Sequence, residues 1–328
     1  MYSCNIKCRF LYCSKYLHNI IVYPATTKHC LYSKNLRIMG STKTVKDFGY
    51  TFNAEGKLRK INESGEASDE PFQFNVSNYH RECQQHYENL GEAITLHVYK
   101  LLEDKELIKL PIPVGTTEQD GSFIFVTKNY DKKDILVVLI QGSGVVRAGQ
   151  WARSLIINDS IHTGTQIPYI EYCMKKNYGV VILNPNDNFR GDNKEITDSS
   201  NPEEHASYVW SNYISKSTAK KIAIIAHSYG GVVTLYLAER YNKEFEEKVK
   251  VVALTDSVHP FCNHKVSRFL KQVSKNWVAS KEPLDTRVKT LDGDINRVSA
   301  GHQKHEMTSS SCMESVFKFI DGRLFPNS

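Results

Sequence analysis

Residues 222–231 read Ile222-Ala223-Ile224-Ile225-Ala226-His227-Ser228-Tyr229-Gly230-Gly231, an apolar β-run that ends at a serine set among small residues and then passes into a helical pattern. A strand, a sharp turn and a helix in that order build a nucleophile elbow, with Ser228 at its tip. The usual form is Gly-x-Ser-x-Gly, and here Ala226 stands in place of the first glycine. The turn brings the positions two before and two after the serine close to neighbouring backbone. Alanine meets that demand at some steric cost, whereas a leucine would not.

A serine so placed needs a base and an acid. The chain order of such triads is Ser, then Asp or Glu, then His, each at the carboxyl end of a strand. Downstream of Ser228 the β-runs are 249–255, 276–279 and 297–300. The second leads into Glu282-Pro283-Leu284-Asp285 and the third into Gly301-His302-Gln303-Lys304-His305-Glu306. Ser228, Asp285 and His305 therefore form the expected triad, the imidazole taking the serine proton and the carboxylate fixing the imidazole's tautomer. Asp256, which ends the first of these strands, is the alternative acid. His302, nearer its strand, is the alternative base, and His259 follows Asp256 closely. The spacing His302-x-x-His305-Glu306 does not match the zinc-peptidase patterns, and no cysteine pair supports a structural zinc, so no metal and no cofactor is expected.

The oxyanion loop should follow an earlier strand. Asp134 to Ile140 is apolar enough to be a parallel strand buried on both faces. It opens into Gln141-Gly142-Ser143-Gly144-Val145-Val146-Arg147-Ala148-Gly149. The glycines Gly142 and Gly144 let backbone N–H groups face a developing oxyanion, with Ser143 and Tyr229 as the donors. The run lacks Gly-Lys-Ser/Thr and the Gly-x-Gly-x-x-Gly spacing, which argues against a nucleotide site. Arg147 and Trp151, four apart, are expected on one helical turn at the pocket, Arg147 either offering a fixed positive charge at its mouth or packing over Trp151.

The chain has 328 residues, 41% hydrophobic and 24% charged, with a formal net charge of +6. That charge is unevenly spread. Residues 1–46 hold eight Lys or Arg and no acid, leaving 34 basic and 36 acidic residues in the remainder. The body thus offers no global basic surface for a nucleic-acid backbone. Four of the eight cysteines (Cys4, Cys8, Cys13, Cys30) lie in the leader and the rest are scattered, which fits a reducing compartment better than a disulfide framework. No apolar run approaches the ~18 residues of a membrane span. The leader 1–46 reads as disordered or as an extension ahead of a start at Met39. Mitochondrial import is its rival reading, weakened by only two arginines.

Residues 47–115 form a front segment, with a hairpin at 50–61 around Asn53-Ala54-Glu55-Gly56 and an amphipathic helix over 78–103 that packs on the sheet. Another helix is expected over 202–217, directly before the elbow strand. The remainder, 116–328, alternates β-runs with helices, so the expected class is α/β, a mostly parallel central sheet with helices on both faces.

The combined motifs resemble a known family. They are Ile140-Gln-Gly-Ser-Gly-Val-Val-Arg-Ala-Gly-Gln-Trp-Ala-Arg153, Gly164-Thr-Gln-Ile-Pro168, Ala226-His-Ser-Tyr-Gly-Gly231, Ala253-Leu-Thr-Asp-Ser-Val-His259, Glu282-Pro-Leu-Asp-Thr286 and Val298-Ser-Ala-Gly301 with His305-Glu306. Over roughly Phe48 to Ile320 the chain is similar to the Arb domain (argonaute-binding protein two), in the branch called "family with sequence similarity 172, member A". The resemblance implies an α/β-hydrolase fold and residence in the nucleus, with the cytoplasm as a second compartment. It also implies work beside argonaute proteins and chromatin or splicing factors in small-RNA-linked heterochromatin silencing and co-transcriptional splicing. It favours His305 over His302, because the family pattern is Ser-Ala-Gly, three variable residues, then His-Glu. Gln141, where relatives carry His, and the leader before Met39 are the departures. The rival function is a working serine hydrolase acting on an ester, thioester or amide.

Overall fold

The computed structural model describes residues 43–262 and 265–326, so residues 1–42 of the basic leader lie outside the described residues. The first described element is a single 3-10 turn, Val45–Phe48, whose Val45 is already in the core. The expected hairpin follows as β1 (Tyr50–Phe52) and β2 (Leu58–Ile61), antiparallel with Phe52 opposite Leu58. A third strand, β3 (Ala67–Pro71), completes this small sheet. Helix α1 (His80–Asp104) buries Leu90, Ile94, Val98 and Leu102, the i, i+4, i+8, i+12 stripe that a helix must turn inward.

The main sheet then builds up from β4 (Ile108–Ile112), β5 (Ser122–Val126), β6 (Ile135–Ile140) and β7 (Gly179–Ile182). Helix α2 (Ile167–Lys175) precedes β7, and the two-residue strands β8 (Phe189–Arg190) and β9 (Lys194–Glu195) pair after it. Helix α3 (Pro202–Val209) starts with the Asn201 side chain accepting from the Glu204 N–H and with proline in its first turn, and it relaxes into a π turn, Trp210–Ile214. The chain continues through β10 (Lys221–His227), α4 (Gly230–Arg240), α5 (Asn242–Lys248), β11 (Val249–Thr255), β12 (Ser274–Val278), β13 (Arg297–Ser299) and α6 (Met313–Leu324).

The eight strands run in the order β4-β5-β7-β6-β10-β11-β12-β13. Every pairing from β7 to β13 is parallel, and β5 is antiparallel to both its neighbours. Counted in chain order, the strands lie 1-2-4-3-5-6-7-8 with the second reversed: an α/β-hydrolase-like sheet, mixed at one edge. Alternate residues of one strand enter two separate cores. Val137, Leu139, Ala223, Ile225, Val251 and Ala253 face α1, α2 and α6, whereas Leu136, Val138, Ile140, Ile222, Ile224 and Leu254 face α3, α4 and α5. This explains why β6, β10 and, from Val251, β11 read as apolar runs: both faces are covered. The front segment belongs to the first of these cores, with Val45, Tyr50 and Leu58 packed into it. Pro111 sits in β4, the sheet's edge strand, where a missing N–H costs no ladder bond.

Candidate functional site

Ser228 stands between the last residue of β10 and the first of α4 with φ +53°, a left-handed backbone that a serine adopts only under constraint. The constraint is visible. The Ser228 N–H donates to the Thr255 carbonyl, and its own carbonyl accepts from Gly231 and Val258. The two glycines after it are required by space: a Cβ on Gly230 would lie 2.5 Å from the Ile140 carbonyl oxygen, and one on Gly231 would lie 1.8 Å from Ser257 Oγ. Ala226 is fully buried on the strand. Ser228 itself is half-exposed, and among the described residues its hydroxyl makes no hydrogen bond.

His305 opens a 3-10 turn beyond β13 and its ring lies 4.6 Å, centroid to centroid, from that of His227, the residue before Ser228. Its Nδ1 is 2.7 Å from Asp256 Oδ2, and the other oxygen of Asp256 accepts from the Ala279 N–H at 3.0 Å. Asp256 also has a left-handed backbone, φ +45°, at the end of β11. Burial alone would raise its pKa, but the His305 hydrogen bond and charge, with the Ala279 N–H, hold it below the ordinary carboxylate value. Asp256 is therefore an ionised acceptor that orients the imidazole.

The expected hydrogen bond between His305 and Asp285 is not made. Asp285 lies away from His305: its carboxylate accepts from the buried Trp277 indole at 2.8 Å and from the Ser315 hydroxyl at 2.6 Å. The reason is topological. β11 is the direct neighbour of β10, so its carboxyl end lies about 4.8 Å from the elbow strand, whereas β12 lies one strand further out. A buried indole N–H also needs an acceptor, and Asp285 supplies it. The expected hydrogen-bonded line from Ser228 through His305 to Asp285 is thus replaced by a His305–Asp256 pair beside an unengaged serine.

The other candidates divide as follows. His302 Nδ1 accepts from the Lys304 N–H and its carbonyl accepts from Ser280, which leaves it at the rim. His259 is buried between Ser257 Oγ and Asp294, a self-contained structural pair. His227, which the sequence reading passed over, is buried. Burial, and then the charge of His305, push its pKa down to about 3, so it is neutral, and its Nδ1–H donates to the Thr255 carbonyl at 2.9 Å.

The loop after β6 packs directly against Ser228. A Cβ on Gly142 would come within 2.9 Å of Ser228 Cβ, so this position must be glycine. Ser143 and Gly144 are exposed beside it, and Gly144 has φ +114°. The helical turn expected to join Arg147 and Trp151 is absent, because the segment bends before the helix that begins at Arg153. Arg147 folds back on its own loop, with Nη1 3.4 Å from the Gly144 and Val146 carbonyls. Trp151 is a core residue, packed edge-on against Tyr169 and His227, not a pocket wall. Gln141 is buried with both side-chain polar atoms lacking a partner among the described residues. Among those residues no group of three or more His, Cys, Asp or Glu is placed to hold a metal ion, and no helix is long and apolar enough to cross a membrane.

Three further side chains hold this loop. Asn184, just past β7, accepts from the Ala148 N–H at 2.9 Å, and Asn186 Nδ2 donates to the carbonyls of Gly142 at 2.8 Å and Val146 at 2.9 Å. Buried Arg153 donates to the Val145 carbonyl at 3.0 Å. The only sequence signal for the asparagines was their density in Asn184-Pro-Asn-Asp-Asn188, after a four-residue strand too short to stand out.

Comparison with known proteins agrees with this architecture. Residues 41–284 match the family model described as the Arb2 domain. The "Cotranscriptional regulator ARB2A homolog" of Xenopus tropicalis is 41% identical, over 86% of this chain and 80% of that protein. The "Cotranscriptional regulator ARB2A" of Homo sapiens is 38% identical, over 84% and 80%. Among solved structures, that of the histone deacetylase Clr3 superposes with a TM-score of 0.51 at 17% identity, covering 79% of this chain and 42% of that one, a likeness of fold. With a domain match over most of its length and relatives at this level of identity, the chain belongs to the Arb2-domain, ARB2A/FAM172 family.

Proposed function

We propose that the chain is a nuclear co-transcriptional regulator whose Arb2 domain hydrolyses an ester, thioester or amide at Ser228. The observation that carries the chemistry is the 2.7 Å pair of His305 Nδ1 and Asp256 next to a serine held at φ +53°. With Nδ1–H bound to the carboxylate, the lone pair of His305 is on Nε2, the tautomer a general base requires. Ser228 Oγ attacks the acyl carbon and passes its proton to Nε2. The N–H groups of Ser143 and Tyr229 receive the oxyanion. The imidazolium then protonates the leaving alcohol, thiol or amine, and a water molecule, deprotonated by the same nitrogen, releases the acid and restores Ser228. Asp256 in place of Asp285 changes the source of the carboxylate, not its role.

The test is labelling by a fluorophosphonate, which phosphonylates an activated serine with loss of fluoride. Wild type should label, and Ser228→Ala and Asp256→Asn should not. A wild type that stays unlabelled would refute the hydrolase assignment.

A second reading is an adaptor role in which the domain serves as a binding surface for argonaute and chromatin or splicing factors. The names of the relatives favour it, and so do exposed apolar side chains on the loops beyond strand ends, Val145 at 56%, Phe261 at 57% and Leu284 at 41%. Under this reading Ser228→Ala keeps those associations, since one hydroxyl barely alters an interface of roughly 1,600 Å². Loss of association with the fold intact would place the partner in the pocket itself.

A further inference from the structure

We propose that Asn186 is a positioning residue that sets the direction of the oxyanion donor. The proposal rests on the hydrolase reading above and adds to it a residue outside the triad. Its basis is the geometry of one peptide unit. Asn186 Nδ2 holds the Gly142 carbonyl oxygen at 2.8 Å. The only cis peptide among the described residues is Ile112–Pro113, so the Gly142–Ser143 peptide is trans. In a trans peptide the C=O and the N–H of one plane point in opposite directions. A carbonyl pinned toward Asn186 therefore turns the Ser143 N–H away from it. Gly142 packs against Ser228, with a Cβ position 3.4 Å from Ser228 Oγ, so this peptide borders the space where the oxyanion forms.

The same amide group donates to the Val146 carbonyl at 2.9 Å. Both hydrogens of Nδ2 are thereby committed, and the loop from 142 to 146 closes on a single side chain. An isolated loop with two glycines would sample both orientations of the peptide plane, because glycine accepts either sign of φ.

The residue is itself braced. Asp187 beside it is held by a bidentate pair with Arg190 at 2.6 and 2.8 Å and by the Ser122 hydroxyl at 2.8 Å. Asn188 Nδ2 donates to the Pro185 and Ser199 carbonyls. Asn184 accepts from Ala148 at the far end of the loop, and its N–H donates to buried His205. A polar stretch with no periodicity is thus a rigid wall behind the oxyanion loop, and Asn186 is the point at which the wall touches the peptide over Ser228. A donor is essential at this contact because both of its partners are carbonyl oxygens.

The deciding variant is Asn186→Asp, which keeps size and shape but replaces the two donors with an oxygen that repels both carbonyls. We expect kcat on p-nitrophenyl acetate to fall roughly 10²–10³-fold with KM nearly unchanged, as for loss of one oxyanion donor. A boronic acid that forms an anionic tetrahedral adduct on Ser228 should weaken by a similar factor. Asn186→His, which can still donate one hydrogen bond, should recover part of the loss. A kcat and boronate affinity equal to wild type in Asn186→Asp would overturn the proposal, as would a uniform rise in KM. If wild type shows no turnover, the hydrolase reading fails separately. The clamp is then judged by the crystal structure of folded Asn186→Asp, where a rotated Gly142–Ser143 peptide supports it and an unchanged one overturns it.

Discussion

Replacing Asp256 with asparagine tests the acid assignment through hydrogen-bond polarity alone. One carboxylate oxygen accepts from the Ala279 N–H at 3.0 Å, and the other faces His305 Nδ1 at 2.7 Å. In Asp256→Asn the backbone donor will keep an oxygen opposite it, because an amide NH2 there would face another N–H. The NH2 must then face His305. It can only donate, so His305 is driven to the tautomer with a bare Nδ1 and a proton on Nε2, the form that cannot take the serine proton. In the general Ser-His-Asp case this error costs about 10⁴ in rate, close to 5.5 kcal/mol of transition-state stabilisation. Second-order labelling by a fluorophosphonate, followed at neutral pH with the melting temperature measured in parallel, reads the loss directly. Asp285→Asn is the control. It keeps an oxygen for the Trp277 indole and should leave labelling unchanged, at a stability cost of about 1 kcal/mol or less. The reasoning is refuted if Asp285→Asn abolishes labelling while Asp256→Asn stays within tenfold of wild type.

Other outcomes follow from burial and space. His205 and His227 are buried, and burial lowers the pKa of each to about 3 against an ordinary 6.5. The unfolded chain therefore takes up protons that the folded chain refuses as pH drops below 6.5, so the stability they confer is complete above that value and is lost on acidification. At pH 5 the loss is about 2 kcal/mol for each, measurable by urea unfolding, and a flat profile from pH 7.5 to 5 would contradict it. Gln141→Met removes two buried polar atoms that lack partners among the described residues and should raise stability by about 1–3 kcal/mol, read as a shift in the urea midpoint. Gly231→Ala drives a methyl group to 1.8 Å from Ser257 Oγ and should cost about 1–3 kcal/mol, with the elbow distorted and labelling slowed; an unaffected midpoint would show that the turn can yield.

How far the chain could be read in advance depended on where its information lies. The elbow was legible because strand, serine and paired glycines are contiguous, and steric demand at each position admits few residue types. The strands buried on both faces, β6, β10 and β11, were legible for the same reason: coverage on two sides forces an apolar run. β4, β5 and β7, four or five residues long, were missed because no motif leading from the elbow points to them, as one does to the similarly short β12 and β13. The carboxylate beside His305 was misplaced because both candidates end parallel strands, and order along the chain does not say which strand abuts the elbow. Lateral neighbourhood in the sheet decided it. The Asn186 contact was beyond reach, since it joins the loops of two strands 40 residues apart through one amide group. Arg147 and Trp151 were placed on a helix by their spacing, but Gly149, at φ +85° with a Cβ position 2.8 Å from Leu102, bends the chain between them.

The front segment has a consequence for biosynthesis. Val45, Tyr50 and Leu58 are made early, yet the core that covers them includes Ile161, Trp151 and α6, which leave the ribosome 90 to more than 250 residues later. The Gly56 carbonyl likewise waits for the Ile161 N–H. Helix α1 and Phe72, just past β3, are early partners, and β1 to β3 alone have too little area to stay folded. A nascent chain stalled before residue 161 would therefore expose apolar side chains from Val45 onward, a natural substrate for chaperones that act during translation. A shortened transcript starting after β2 would remove part of the main core itself rather than a detachable appendage.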